Sequence, residues 1–480
     1  MNSLVASFLI LTVSASGFFS DGMMLQRDRP VPVWGTAAPG ERVSVSFGGK
    51  SVAVTANAKG EWCAKLPAFA ASDRGRDLKV GRTTFKDVVV GDVYLAGGQS
   101  NMQFPVCGHS ARQHDAKGNA LSQIVRDDAL RFSAPRRMYA AAPTNDVELV
   151  WRKSNCEDLW KKPYDGNHEE DSISAVAWYF ARYVREAAHV PVGFVDVSRG
   201  GAFIEPSMPP AEVARGRELR LTGWGHQAPG VMWNAMIAPM TRFPFRGVLW
   251  YQGESNKNDT NGVYLAKFRA LVSGWRRELG NQKLPFYYVQ LAPNGAGHLS
   301  VQLQQAQYEK EDPNAAMVVV ADIGNLRNIH PRDKDTVGLR LALRALKRDY
   351  GLYGIRDASP EASRATRDAS GKVRIEFSNA KWMYVLNEDM SLLADFELMD
   401  MTGTWHKARI VNFKDHWLWY AKKNVKNGEF EGNAIELVAD GVVEPKAVRY
   451  LFNSPWQGSV FNEASLPLGP FMATVEEIGQ

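Results

Sequence analysis

The sequence predicts an α/β domain built on a parallel sheet, with β-rich regions before and after it. Three observations predict this. Four apolar runs that read as fully buried strands, VPVGFVDVS (190–198), FRGVLWYQG (245–253), LPFYYVQLA (284–292) and AAMVVVADIG (315–324), alternate with helix-periodic segments, which is the rhythm of a sheet covered on both faces. Two of the intervening segments, SAVAWYFARYVREAAH (174–189) and DTVGLRLALRALKRDYG (335–351), repeat apolar residues at helical spacing, and the second ends in basic residues and a glycine. Outside this stretch the chain changes to short alternating strands separated by Gly, Asn and Asp turns.

Taken in order, residues 3–17 (SLVASFLILTVSASG) form an apolar run followed by small residues, the pattern of a secretory leader with an extracytoplasmic destination, periplasmic or secreted. No Lys or Arg precedes it, so a buried first strand is the alternative. Residues 42–62 (RVSVSFGGKSVAVTANAKGEW) alternate Val, Ser and Phe around a Gly-Gly pair, a hairpin signal. The run from Asp92 (DVYLAGGQSN) is an apolar strand that ends in glycines rather than in another hairpin. After Gly351 come KVRIEFSNA, DFELMDMTGTWHKARI and AIELVADG. The expected organisation is a leader over 1–17, a β domain over 18–90, a catalytic α/β domain over 91–350 and a β-rich region over 351–480.

Composition narrows the function. A formal charge of +5 over 480 residues, with no basic tract, gives no footprint for nucleic acid. Past the N-terminus no apolar run reaches the roughly 18 residues of a membrane helix. Cys63, Cys107 and Cys156 have neither zinc spacing nor a disulfide framework. A Cys107–Cys156 bridge and three idle thiols are both open readings.

Four strand ends carry reactive residue types. In GDVYLAGGQSNMQFP, Ser100 follows a strand and the glycines Gly97 and Gly98, at the strand end where α/β sheets place their active sites. The glycines permit a tight turn that exposes the Ser100 hydroxyl and leaves its N–H free for an oxyanion. Alone, such a serine reads equally as a loop or helix cap. In VDVSRGGAFIEPSM, Gly200 and Gly201 can present backbone N–H groups. In FRGVLWYQGESN, Gln252 can offer a side-chain N–H, and Glu254 can orient a base. In ADIGNLRNIHPRDK, His330 precedes a helix and can reach Ser100. A serine hydroxyl is a weak nucleophile, and a neutral imidazole is the group that takes its proton near neutral pH.

Together these blocks resemble the sialate O-acetylesterase group of SGNH (GDSL-like) carbohydrate esterases. The resemblance runs through FFSDGMMLQRDRPVPVWGTAAPGE, GQSNM, WNAMIAPM, GVLWYQGESN, IHPRDK and VFNEASLPLGPF. It implies an SGNH-hydrolase (flavodoxin-like) parallel sheet with helices on both faces. It further implies Ser100 as nucleophile, His330 as general base, and Ser100 N–H, Gly201 and Gln252 as oxyanion donors. The expected partner is an O-acetylated sugar or glycan, and no metal or organic cofactor is implied. The chain departs from the group at Asn328 and Asn325, where many relatives have Asp, and at Arg199 and Ala202, where they often have Trp and Thr. Asp322, Glu254, Asp333 and Asn328 itself are the candidates for the third catalytic member. Deacetylation of sialic acid is the leading expectation, deacetylation of xylan or another polysaccharide the alternative, and a non-catalytic glycan-binding protein the third. Trp62, Trp224, Trp233 and Trp250 are the aromatic candidates for a sugar-binding face.

Overall fold

The computed structural model describes residues 13–106, 126–135, 139–155, 173–294, 297–324, 328–387, 395–416, 426–430, 432–452 and 458–477. Through the α/β part the strands lie in the order Arg152–Ser154, Asp127–Ser133, Val192–Asp196, Thr83–Gly98, Gly247–Tyr251, Phe286–Val289, Ala315–Val318. All neighbours are parallel except the first pair, which is antiparallel. In chain order the parallel strands lie 2-3-1-4-5-6, so the connections reverse direction at the first one, Thr83–Gly98. An open α/β sheet forms its ligand crevice at the carboxyl end of such a switch-point strand.

That strand is a single run of 16 residues. Its first half pairs with Ser72–Val80 and Met24–Gln26 in the N-terminal β part, and its second half lies between Val192–Asp196 and Gly247–Tyr251. The expected boundary at residue 90 therefore falls inside one continuous strand. Packing agrees: one hydrophobic core extends from Phe18 to Leu346, and a second, from Ala365 to Val475, fills the C-terminal sheets. The hairpin forms as its Gly-Gly pair predicts, Arg42–Phe47 against Lys50–Thr55, with Gly48 and Gly49 both at positive φ.

Both predicted helices are present. Ala175–Ala188 is capped by the Ser174 hydroxyl, which accepts from Ala177 N–H. Lys334–Asp349 is capped by Asp333, which accepts from Thr336 N–H. The two pack closely at Gly338, where a Cβ would lie 2.5 Å from Tyr179 Cβ. Among the described residues the C-terminal part holds one five-stranded and two four-stranded sheets. Asp357 ties it to the α/β part through Arg344 (3.1 Å) and Lys347 (2.7 Å), and Gly458 N–H donates to Ala321 O (2.9 Å).

Residues 1–12 of the expected leader lie outside the described residues, as do Cys107 and Cys156. Ser14 and Ala15, also within it, pair with Thr36 and Gly35, and Gly17 N–H donates to Asp146. Cys63 is a free, half-buried thiol. Among the described residues no helix is long and apolar enough to cross a membrane.

The turn that lifts the chain off the central strand depends on Gly98. Its φ is 137°, and a Cβ there would lie 2.2 Å from the carbonyl oxygen of Tyr251. Backbone in that region is open almost only to glycine and costs other residues about 1–3 kcal/mol, and the contact with a fixed backbone atom adds to that. Gly98→Ala is expected to lower unfolding free energy by at least about 2 kcal/mol, measured by denaturant titration, and to cost activity in the fraction that folds.

Candidate active site

Ser100 begins a four-residue helix, Ser100–Gln103, directly after the switch-point strand. Its hydroxyl lies 2.9 Å from Nε2 of His330, 230 residues away in sequence. His330 arrives from the loop after the edge strand Ala315–Val318, and the helix that starts at Lys334 holds the far end of that loop. The ring edge packs on Phe104 with centroids 4.6 Å apart. Both Ser100 and His330 are half-buried.

The Gly200–Gly201 loop sits beside them. A Cβ on Gly200 would lie 3.8 Å from Ser100 Cβ and 3.0 Å from Gln103 Oε1. The Gly200 N–H already donates to Gln103 Oε1. Gly201 is left-handed at φ 71°, with nothing within 4 Å of where a Cβ would be. Its carbonyl faces the protein and accepts from Ser255 Oγ and Gln227 Nε2, both at 3.1 Å. This orientation fixes the loop against the Gln252–Asn256 segment.

Gln252 is held by the loops around it. It is fully buried, and its amide donates to Asn256 Oδ1 (2.6 Å), Gln99 Oε1 (3.2 Å) and Ala202 O (3.3 Å). Its N–H groups thus brace the three strand-end loops. Beneath it, Asn256 donates to Glu205 (3.1 Å) and Asp259 (2.8 Å), and buried Lys267 bridges the same two carboxylates at 2.7 Å each.

The carboxylates considered for the third catalytic place have other partners. Asp322 forms a bidentate pair with Arg340, both bonds 2.7 Å. Asp333 caps its helix through Thr336 N–H (2.9 Å) and Thr336 Oγ1 (2.7 Å). Glu254 accepts from Asn101 Nδ2. The Asn328 side chain accepts from the His330 backbone N–H at 2.9 Å, so it shapes the histidine loop. Asn325 lies outside the described residues.

Sequence reading missed the group behind the serine. Asn101, Lys334 and Glu254 are all buried, and Lys334 Nζ donates to Asn101 Oδ1 at 2.6 Å. Burial pushes the Lys334 ammonium down to about 7, against the opposing pull of the Glu254 and Asp333 charges. Burial likewise raises the Glu254 carboxyl above its ordinary range. Asn101 and Lys334 stand inside the quoted GQSNM and IHPRDK blocks, yet nothing in either block says that they meet. Of the four tryptophans, Trp62, Trp233 and Trp250 are core, whereas Trp224 is 86% exposed. It adjoins the Gly225–Gln227 turn that binds the Gly201 loop. Arg199, on the same loop, donates from Nε to Tyr139 Oη at 3.0 Å.

A family model described as carbohydrate esterase, sialic acid-specific acetylesterase, matches residues 90–347, more than half of the chain. The chain belongs to this family of carbohydrate esterases. A sialate O-acetylesterase of Pongo abelii is 32% identical over 300 residues, covering 55% of this chain and 54% of that protein. One from Rattus norvegicus is 27% identical over 458 residues, covering 82% and 79%. A crystal structure of a carbohydrate acetylesterase from Xanthomonas citri superposes with a TM-score of 0.79 at 29% identity, over 96% of this chain and 99% of that one. The chain spans about half the length of the Pongo abelii and Homo sapiens relatives. Within the family fold, the Ser100–His330 contact occupies the switch-point crevice.

Removing the Gln252 amide would leave buried groups of Gln99 and Asn256 without their partner, a loss of about 1–3 kcal/mol. Gln252→Ala should therefore lower stability by that amount in denaturant titration as well as lower turnover. Wild-type stability with a loss confined to kcat would instead identify Gln252 as a direct oxyanion donor.

Proposed function

We propose that the chain is a serine esterase that removes O-acetyl groups from carbohydrate, with O-acetylated sialic acid as the leading substrate, through an acyl-enzyme on Ser100. The observation that carries this reading is the 2.9 Å contact between Ser100 Oγ and His330 Nε2. A nucleophile within hydrogen-bond reach of its base is the geometric requirement for this chemistry. The same contact speaks against a glycan-binding protein whose catalytic pair has decayed.

In the proposed reaction neutral His330 takes the Ser100 proton as the hydroxyl attacks the acetyl carbonyl. The Ser100 and Gly201 N–H groups receive the oxyanion, since the Gly200 N–H is held by Gln103. His330 then protonates the departing sugar oxygen, and water, activated by the same imidazole, releases acetate from Ser100. Asp322, Asp333 and Glu254 are engaged by Arg340, Thr336 and Asn101, and the proton transfers are assigned to Ser100 and His330. Loss of the aspartate charge in a serine-protease triad costs about 10⁴ in rate, but an acetyl ester has a better leaving group than an amide and tolerates a weaker base.

Sialic acid is supported by the family description and by the relatives' names. Acetylated neutral polysaccharide is the second reading, supported by the Xanthomonas citri neighbour, named simply as a carbohydrate acetylesterase. Exposed Trp224 suits either, because a flat indole stacks on any pyranose face.

Ser100→Ala should abolish release of nitrophenol from nitrophenyl acetate while the melting temperature stays near wild type, and a fluorophosphonate should label wild-type Ser100 alone. Turnover by a folded Ser100→Ala protein would refute the assignment. Acetate release from O-acetylated sialic acid at a kcat/KM at least tenfold above that from acetylated xylan would support the leading substrate, and the reverse order would establish the second reading.

A further inference from the structure

We propose that Lys334, Asn101 and Glu254 form a positioning relay that holds Ser100 and His330 in register. The proposal rests on the reading of those two residues as the catalytic pair. The relay joins three blocks of chain: Asn101 follows the nucleophile, Lys334 lies four residues beyond the base, and Glu254 lies three residues beyond the end of the neighbouring strand.

Asn101 sits at its centre and makes three bonds. Its Oδ1 accepts from Lys334 Nζ at 2.6 Å, and its Nδ2 donates to Glu254 Oε1 and, at 3.1 Å, to the carbonyl of Ile329. The last bond matters most, because Ile329 immediately precedes His330. The residue after the nucleophile is thereby tied to the residue before the base.

The flanking partners make this tie one-way. Lysine, as ammonium or amine, presents donors to the Asn101 oxygen, and Glu254 Oε1 accepts from Asn101 Nδ2. Rotating the amide by half a turn would put Nδ2 against Nζ and Oδ1 against the carboxylate, and the Ile329 bond would be lost. Lys334 reaches the base by a second route too. Its Nζ lies 5.5 Å from the centroid of Phe104, whose ring packs edge-on against His330 at 4.6 Å, and 5.7 Å from that of Tyr251. Lys334 is 4% exposed and Asn101 1%, so water does not substitute for either partner. A neutral amine still donates, so the tie persists on both sides of the Lys334 titration.

A purely structural ion pair would behave differently. Removing one partner of a buried polar network destabilises the fold whatever its role, but only a positioning role also misplaces the reacting groups, where an error of about 1 Å can cost about 100-fold in rate in the folded protein. Lys334→Met should therefore lower the melting temperature and, in the protein that remains folded, lower kcat on nitrophenyl acetate about 10- to 100-fold, with KM within about twofold of wild type. The rate of fluorophosphonate labelling of Ser100 should fall in parallel. Asn101→Asp keeps the acceptor for Lys334 but loses the donor to Ile329 and sets a carboxyl against Glu254, so it should lower stability and show at least the same kcat loss in the folded protein with the lysine intact. The double variant should be no slower than the slower single one. Wild-type kcat and labelling rate in either folded single variant, with Ser100→Ala inactive, would overturn the relay alone. An active Ser100→Ala protein would instead overturn the catalytic assignment beneath it.

Discussion

The structure turns on the close approach of the central strand to its neighbour at Gly98. Gln99 N–H donates to Tyr251 O at 3.0 Å, the same carbonyl that leaves no room for a Cβ on Gly98. The chain can pass that oxygen only as bare backbone, and in doing so it leaves the sheet and begins the helix that carries Ser100. One residue earlier in the same strand, Gly97 lies against the Trp250 ring, where a Cβ would be 3.0 Å away. Two glycines thus let the nucleophile strand and the Trp250–Tyr251 strand end flush. The Gln252–Asn256 loop can then lie under the serine.

What fills the space under that turn is polar and almost dry. Gln99, Gln252 and Asn256 bond to one another, and Asn256 connects them to the buried Glu205–Lys267–Asp259 cluster. Such a network is costly to desolvate, and it stabilises only when its members are satisfied. Its geometry explains why it stands here. Gln99, Glu205 and the Gln252–Asn256 segment follow three different strands, so satisfying the network requires the strand-end loops to hold fixed relative positions. Rigidity of this kind is what an active site needs from the residues that do not touch substrate.

The acidic residues illustrate a related point. Asp322, Asp333 and Glu254 are all near the histidine in sequence or in the fold, and each is a plausible third catalytic member by residue type. In the folded chain a guanidinium, a helix terminus and a buried asparagine claim them respectively. A carboxylate goes to the partner that compensates its desolvation best, and residue spacing does not rank those partners.

The sequence by itself determined the main α/β strands and two of the helices, and it singled out Ser100 and His330, which the structure brings together. Buried strands read as continuous apolar runs, helices as 3.6-residue periods, and Ser100 and His330 stood out because reactive residue types followed strand ends and matched family blocks. It also marked Gly98, since only a glycine-ended strand can turn so sharply. Tertiary structure alone decided three other things. It made the strand over Thr83–Gly98 continuous through the expected boundary at residue 90, because a strand that pairs on both sides with different partners has no local signal where they change. It turned Gln252 inward, because an amide at a strand end faces solvent or protein according to which acceptors surround it. It also brought Lys334 to Asn101 across 233 residues of chain. A bond between side chains that far apart depends on the closure of the whole sheet, and no local pattern of residues encodes it.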